Sequence, residues 1–318
     1  MKRLLFSTLL TLTSTSLMAQ DLEFTQFYSN PIFLNPAMAG TNGCPRFAMN
    51  YRNQWPALGS AYVSYAAAYD QYFDNINGGF GILLVNDRQA KTINRTTGEL
   101  MYSYHLRLNR KWTALFGAKA GYSQKSLDPS RLSFGDQIDP RRGFIFATND
   151  IINGGSRGYF DASAGAVVFN KSFNVGFAAN HLNTPNESLI NGESKLPMRF
   201  TGHASANIPL GGRSRYKNST TIMPSVLYSY QQGFQQLNIG TYIKYSQFTA
   251  GAYLRNRDAF ILTVGISTDK FRLGYSYDVT VSKLNNGVSS GSHEISMNIL
   301  VACKKRPTSF RTISCPTF

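Results

Sequence analysis

The chain has 318 residues and a formal net charge of +15, yet charged side chains are only 15% of it, against roughly 25% in a soluble domain. The excess lies in Tyr (18), Phe (22) and Gly (27). A water-facing surface needs charge and a lipid-facing one does not, so this composition speaks against an ordinary soluble domain.

The first residues read as an export signal. Met1-Lys-Arg is a basic start, Leu4-Leu-Phe opens a short apolar run, and Ala19 precedes a cut before Gln20. Ser and Thr interrupt the run, which argues against a transmembrane helix. No Cys follows the cut, which argues against a lipoprotein anchor. Export also sets aside nucleic acid, the usual partner of a strongly basic chain. An exported chain with few charges, many aromatics and no apolar helix has the composition of a transmembrane β-barrel.

Residues 20–45 form a lead segment expected in the periplasm. Two Asn-Pro steps, Asn30-Pro31 and Asn35-Pro36, bracket the apolar Ile32-Phe33-Leu34. Each Pro removes a backbone donor and pushes the residue before it out of the α region. The stretch does not alternate like a strand and is too broken for a helix, so its apolar triplet must be buried by docking. Asn30, Pro31, Ile32, Phe33, Leu34, Asn35 and Pro36 are therefore expected either to help form a partner site at the lumen or periplasmic mouth, or to plug the barrel.

Residues 46–302 then carry fourteen segments of period-two alternation. In order they are Phe47–Arg52, Ala61–Asp70, Gly79–Asn86, Glu99–Leu108, Trp112–Gln124, Tyr159–Phe169, Phe173–Asn180, Met198–Ile208, Thr221–Tyr230, Leu237–Tyr245, Phe248–Arg255, Ala259–Ser267, Phe271–Val279 and His293–Val301. The ninth contains Pro224, which costs a ladder bond in a closed sheet. Most approach the 9–11 residues of a spanning strand. An even count brings both strand termini to one side, as in bacterial barrels. Tight turns such as Asn109-Arg-Lys111 and Asn170-Lys-Ser172 follow even strands, and the long loops Lys125–Gly158, His181–Pro197 and Thr280–Ser292 follow odd ones. Short periplasmic turns and long outer loops put the termini in the periplasm. The fold class is all-β: an antiparallel outer-membrane β-barrel of about fourteen strands. A soluble β-sandwich would also alternate, but its outward face would be charged.

Alternation points Arg52, Arg107, Lys119, Arg199, Lys244, Arg255 and Arg272 into the lumen, together with Asp70, Glu99, Asp161, Asp278 and Glu294. A selective pore shows a ring of one sign; mixed signs suit a cross-lumen network and a blocked or narrow lumen. The loop Ser126–Gly158 is the largest candidate binding surface, with folding back as a plug or disorder as alternatives.

The search for chemistry returns nothing specific. His105, His181, His203 and His293 stand apart, with no second ligand at metal-binding spacing. Asp136 and Asp139 read as loop acids. No nucleophile elbow, P-loop or dinucleotide fingerprint is present. The expectation is a non-enzymatic chain without metal or cofactor.

The segment Gln26-Phe-Tyr-Ser-Asn-Pro-Ile-Phe-Leu-Asn-Pro-Ala-Met-Ala-Gly40 resembles the opening of the PorP/SprF family of outer-membrane proteins, associated with type IX secretion and gliding motility. Cys44-Pro-Arg46, Tyr51-Arg-Asn-Gln-Trp-Pro56, Phe134-Gly-Asp-Gln-Ile-Asp139, Gly291-Ser-His-Glu-Ile-Ser296 and Ser314-Cys-Pro-Thr-Phe318 extend the resemblance along the chain in order. It implies an outer-membrane location and a role in secretion and in displaying surface proteins. The implied partners are the envelope machinery, with its gliding components, and a cargo or adhesin C-terminal domain. The alternative is a passive or ligand-specific channel or transporter.

Three cysteines remain, Cys44, Cys303 and Cys315. Export permits a disulfide. Residues 303–318 form a basic tail expected in the periplasm, where short-range closure favours Cys303–Cys315. Cys44–Cys303 and Cys44–Cys315 are the rivals, because barrel closure brings the first and last strands together.

Overall fold

The computed structural model describes residues 21–57, 62–132, 134–139, 141–146, 155–189, 192–210, 220–281 and 290–301. The expected export signal, residues 1–19, and the tail, residues 303–318, lie outside the described residues.

Fourteen strands close into one antiparallel barrel. They are β1 (Arg46–Gln54), β2 (Tyr62–Phe73), β3 (Gly78–Gln89), β4 (Ile93–Arg107), β5 (Thr113–Leu127), β6 (Ser156–Phe169), β7 (Phe173–Asn180), β8 (Arg199–Ala206, continued by Ile208–Leu210), β9 (Thr220–Gln231), β10 (Phe234–Tyr245), β11 (Phe248–Arg255), β12 (Ala259–Ser267), β13 (Phe271–Thr280) and β14 (Ser292–Leu300). Each pairs with its neighbour in sequence, and β1 closes on β14 with Arg46 opposite Leu300 and Gln54 opposite Ser292. All fourteen expected segments are strands. The ring of paired strands has no open edge, which excludes the sandwich.

Two departures have local causes. β3 and β4 run further than alternation indicated, joined by the three residues 90–92. Ala90 and Lys91 both take positive φ, 51° and 60°, a tight-turn conformation whose twist matches that of paired strands. The polar start of β4, Asn94 to Thr97, pairs with Arg88 to Val85 and needs no apolar face to do so. In β9, Pro224 pairs with Thr241 of β10, and on the other side it falls in a gap of the β8 ladder, between Ser225–Ser205 and Ile222–Ile208. The missing N–H of proline sits where the ladder is already interrupted.

The outward face is apolar: Phe47, Leu100, Phe116, Phe160, Ile239 and Leu262 are exposed along it. The tightly packed core lies inside the ring, around the chain's own N-terminal segment. Phe27, Tyr28, Leu34, Ala37 and Met38 pack against Leu115, Val167, Leu227, Tyr242, Tyr253 and Ile261. Phe24, Ile32 and Ala39 pack against Ala48, Ala66, Ala68, Leu83 and Met101. The lumen face is thus partly apolar.

Candidate functional site

The lead segment is threaded through the lumen. Asp21 meets Arg95, His181 and Gln231 at the end of the barrel that carries the long loops. Gly40 meets Asp70 near the opposite end, where β1 begins. The segment thus lies within the barrel, as the lumen-docking and plug alternatives expected. The strand ends Arg46 and Leu300 share one end of the barrel, and Asp21 lies at the other.

The two Asn-Pro steps form turns that fit this path. Pro31–Leu34 is one turn of α-helix, and Pro36–Met38 is one turn of 3-10 helix. Proline is the first residue of each, where its missing N–H would have had no helical partner. The stretch judged too broken for a helix is two single turns. Asn35 caps the second, its Oδ1 accepting from the Ala37 N–H at 3.0 Å. Its Nδ2 donates to the wall, to the carbonyls of Phe177 at 3.1 Å and Ala166 at 3.3 Å. Two wall glycines make room. A Cβ on Gly117 would lie 2.3 Å from the Ala37 nitrogen, and one on Gly165 would lie 2.1 Å from Asn35 Oδ1. Asn30, Pro31, Ile32, Leu34, Asn35 and Pro36 are buried, and Phe33 is half-buried against Phe24. Asn30–Pro36, expected to form a partner site or to plug the barrel, make contacts inside the lumen.

Polar contacts tie the same segment to lumen charges. Glu294 accepts the backbone N–H of Thr25 at 2.6 Å and of Gln26 at 3.0 Å. Asp278 accepts the Thr25 hydroxyl at 2.8 Å. Arg52 reaches Asp278 at 2.9 Å and Glu294 at 3.4 Å, and Arg255 reaches Asp278 at 3.1 Å. Both arginines also donate to the Thr25 hydroxyl. Near β1, Arg46 chelates Asp70 at 2.8 and 3.0 Å, and Asp70 also accepts the Gly40 N–H at 2.8 Å. The two lumen histidines are hydrogen-bonding groups: His105 meets the Ala39 carbonyl at 3.0 Å, and His203 lies 3.5 Å from Asn35.

At the long-loop mouth, one oxygen of the Asp21 carboxylate accepts from His181 Nε2 at 2.6 Å and from Gln231 Nε2 at 3.1 Å, and the other from Arg95 at 3.3 Å. Glu23 is held by Arg199 and Gln236. His181 Nδ1 lies 2.8 Å from Asp161. Burial pushes the His181 imidazole down, but Asp21 and Asp161 outweigh it and raise the group to about 9. Burial likewise pushes Asp21 up, and His181, Arg95 and Arg199 hold it far below the usual carboxylate range.

Among the described residues, most of the twelve lumen charges are held in local groups. Arg52, Arg255, Asp278 and Glu294 form a cluster completed by Thr25. Lys119 pairs with Glu99 at 2.9 Å between neighbouring strands. Asp70 pairs with Arg46, Arg199 with Glu23 and Asp161 with His181. Lys244 donates to the Ser267 hydroxyl at 3.2 Å, Arg107 is exposed at the short-turn end, and Arg272 is half-buried. Sequence reasoning missed the segment's own contributors: Asp21, Glu23, Thr25 and Gln26. The available signal was their mixture with Phe24, Phe27, Ile32 and Leu34, which suits a passage lined with both polar and apolar groups.

Outside the lumen, Asp139 caps a turn in the long loop, accepting from the N–H groups of Arg141 and Arg142 at 2.8 Å. Cys44 is disulfide-bonded, which corrects the preference for a Cys303–Cys315 bridge with Cys44 as the free thiol. Cys303 and Cys315 lie outside the described residues.

A family model described as type IX secretion system membrane protein PorP/SprF matches residues 16–299. No curated protein matches the chain. Among solved structures the chain is similar to the CymD monoaromatic hydrocarbon channel, at 12% identity and a TM-score of 0.46, over 86% of this chain and 93% of that one. It is similar to the P. putida toluene transporter TodX, at 9% identity and a TM-score of 0.46, over 85% and 93%. It is also similar to the KdgM porin, at 8% identity and a TM-score of 0.39, over 80% and 99%.

Proposed function

Because the chain belongs to the PorP/SprF family of type IX secretion system membrane proteins, we propose that it is a closed outer-membrane barrel that serves the secretion or gliding machinery as a docking component. In this reading it binds or displays a secreted surface protein through that protein's C-terminal domain, and no enzymatic step is involved. Residues 1–19 act as the export signal. The short turns and the tail, residues 303–318, face the periplasm, and the long loops face the cell surface.

The observation that carries the reading is the filled lumen. The chain spends its own N-terminal segment, Phe24 to Thr41, on packing the passage. A passive channel needs a wet path, and burying large apolar side chains along the lumen works against one. Partner contact then falls to the surfaces left outside the barrel, at its two ends and along its lipid-facing wall.

Affinity purification of the tagged chain from envelopes tests this. Co-purification of secretion components or of a secreted protein's C-terminal domain is expected, with no steady current in planar bilayers. A steady open-pore current, with no secretion component recovered, would favour the channel alternative and sink the proposal.

A further inference from the structure

The lead segment is held in two unlike ways. From Phe24 to Thr41 almost every residue is buried, whereas Asp21, Leu22 and Glu23 are half-buried. Cavities flank these three residues: about 100 Å³ beneath them, about 70 Å³ towards β8–β11 and about 310 Å³ towards β1–β5. This stretch is therefore held by charge and hydrogen bonds more than by close packing.

The groups that hold it all belong to the barrel. Arg95 comes from β4, His181 from the residue after β7, Arg199 from β8, Gln231 from β9 and Gln236 from β10. Several are fixed independently of the segment. Asp161 orients His181 at 2.8 Å, and Gln231 Nε2 also donates to the Pro197 carbonyl at 3.1 Å. The backbone is read as well. The Asp21 N–H donates to Gln231 Oε1 at 3.4 Å, and Arg199 donates to the Leu22 carbonyl at 3.2 Å. Two carboxylates two residues apart thus meet separate donor sets on a rigid wall, and charge-assisted donors of this kind are the strong ones.

We propose that the long-loop mouth is a receptor for an extended acidic peptide of the Asp-x-Glu type, with Asp21–Glu23 as its resting, intramolecular occupant. A tethered occupant has an effective concentration in the millimolar range, so an incoming peptide binds weakly until the tethered one is weakened. The proposal goes beyond the secretion reading and stands whether or not a secretion component joins the barrel.

The test uses the full chain in detergent, with the labelled peptide acetyl-Gln-Asp-Leu-Glu-amide and its Asn/Gln analogue as probes. Asp21→Asn with Glu23→Gln weakens the tethered occupant at nearly constant volume, and heat-modifiable gel migration confirms that the barrel is folded. The acidic peptide is expected to bind this variant at least tenfold tighter than the unaltered chain, and at least tenfold tighter than the amide analogue binds the variant. Adding Arg199→Gln should abolish that preference. If a folded Asp21→Asn, Glu23→Gln chain binds neither peptide, or binds both equally, the proposal is overturned. Should the triple variant fail to fold, the acid–amide comparison on the double variant decides alone.

Discussion

The backbone N–H of Thr25 donates to the carboxylate of Glu294 at 2.6 Å, joining residues 269 apart in sequence. Glu294 also accepts the Gln26 N–H and faces Arg52, so one buried side chain serves two backbone donors and a guanidinium. Glu294→Ala strands the two backbone donors and leaves Arg52 with Asp278 as its remaining carboxylate. Removing one partner of a buried pair costs about 3–5 kcal/mol, and here the loss falls on docking of the segment more than on the strand ladder. The expected result is a folded barrel whose lead segment becomes protease-sensitive. Protection equal to that of the parent chain would mean the apolar contacts suffice.

His181 sets a pH window for the mouth. Its group is raised from an ordinary 6.5 to about 9, so its stabilisation is fully present below about 6.5 and is lost as pH rises through about 9. Asp21, being lowered, contributes above its ordinary 3.8 and loses that contribution only as the solution becomes strongly acidic. Proteolysis near residue 21, followed from pH 7 to 10, should accelerate towards the alkaline end. In His181→Asn the same profile should be flat across that range.

The barrel was legible because alternation is local. Phe173–Asn180, Phe248–Arg255 and Ala259–Ser267 are strands with the bounds that the sequence alone indicated. The facing of Leu100, Tyr102 and Tyr104 against Met101, Ser103 and His105 follows from parity in the same way. The threaded segment was not legible, because nothing near Thr25 or Asn35 in sequence names Glu294 or the Phe177 carbonyl as a partner. Charge partners failed likewise. Parity placed Arg199 and Asp161 inward, but their partners Glu23 and His181 come from the lead segment and a loop, which carry no alternation.

The close approach at Gly117 and Gly165 gives a steric test. Gly117→Val puts side-chain atoms where the Ala37 backbone lies and leaves the β4–β5–β6 ladder chemically intact. Overpacking of this kind costs about 1–3 kcal/mol, and displacement of the 3-10 turn is the available relief. Increased bilayer conductance with unchanged β-type circular dichroism is the expected pair of readouts. A Gly117→Val chain as closed as the parent would show that the turn can shift within the lumen.

The outward face makes a separate claim. Phe116 on β5 and Leu262 on β12 are exposed on the apolar outer surface. Arginine at either should cost about 2–4 kcal/mol if the site lies near the bilayer midplane, less near an interface. Unfolding titrations in lipid vesicles measure this, with Phe116→Leu as the control of similar character. No cost at both positions would mean that this face does not meet lipid.

Cys44 lies two residues before Arg46, at the end of the barrel where the lead segment leaves the lumen. Arg46 and the Gly40 N–H both converge on Asp70 there, so a covalent tie at Cys44 secures the exit of the segment and the start of β1 together. A bridge from Cys44 to either C-terminal cysteine closes a loop of nearly the whole barrel in the unfolded chain. The loop-entropy estimate for so long a closure is about 5 kcal/mol. Non-reducing peptide mapping of protein from an oxidising periplasm should recover Cys44 in a disulfide. Cys44→Ser should lower the unfolding midpoint, and reductant should lower it in the parent chain but scarcely in the variant. Recovery of Cys44 as a free thiol, with Cys303 joined to Cys315, would reject this arrangement and return the tail to a local knob.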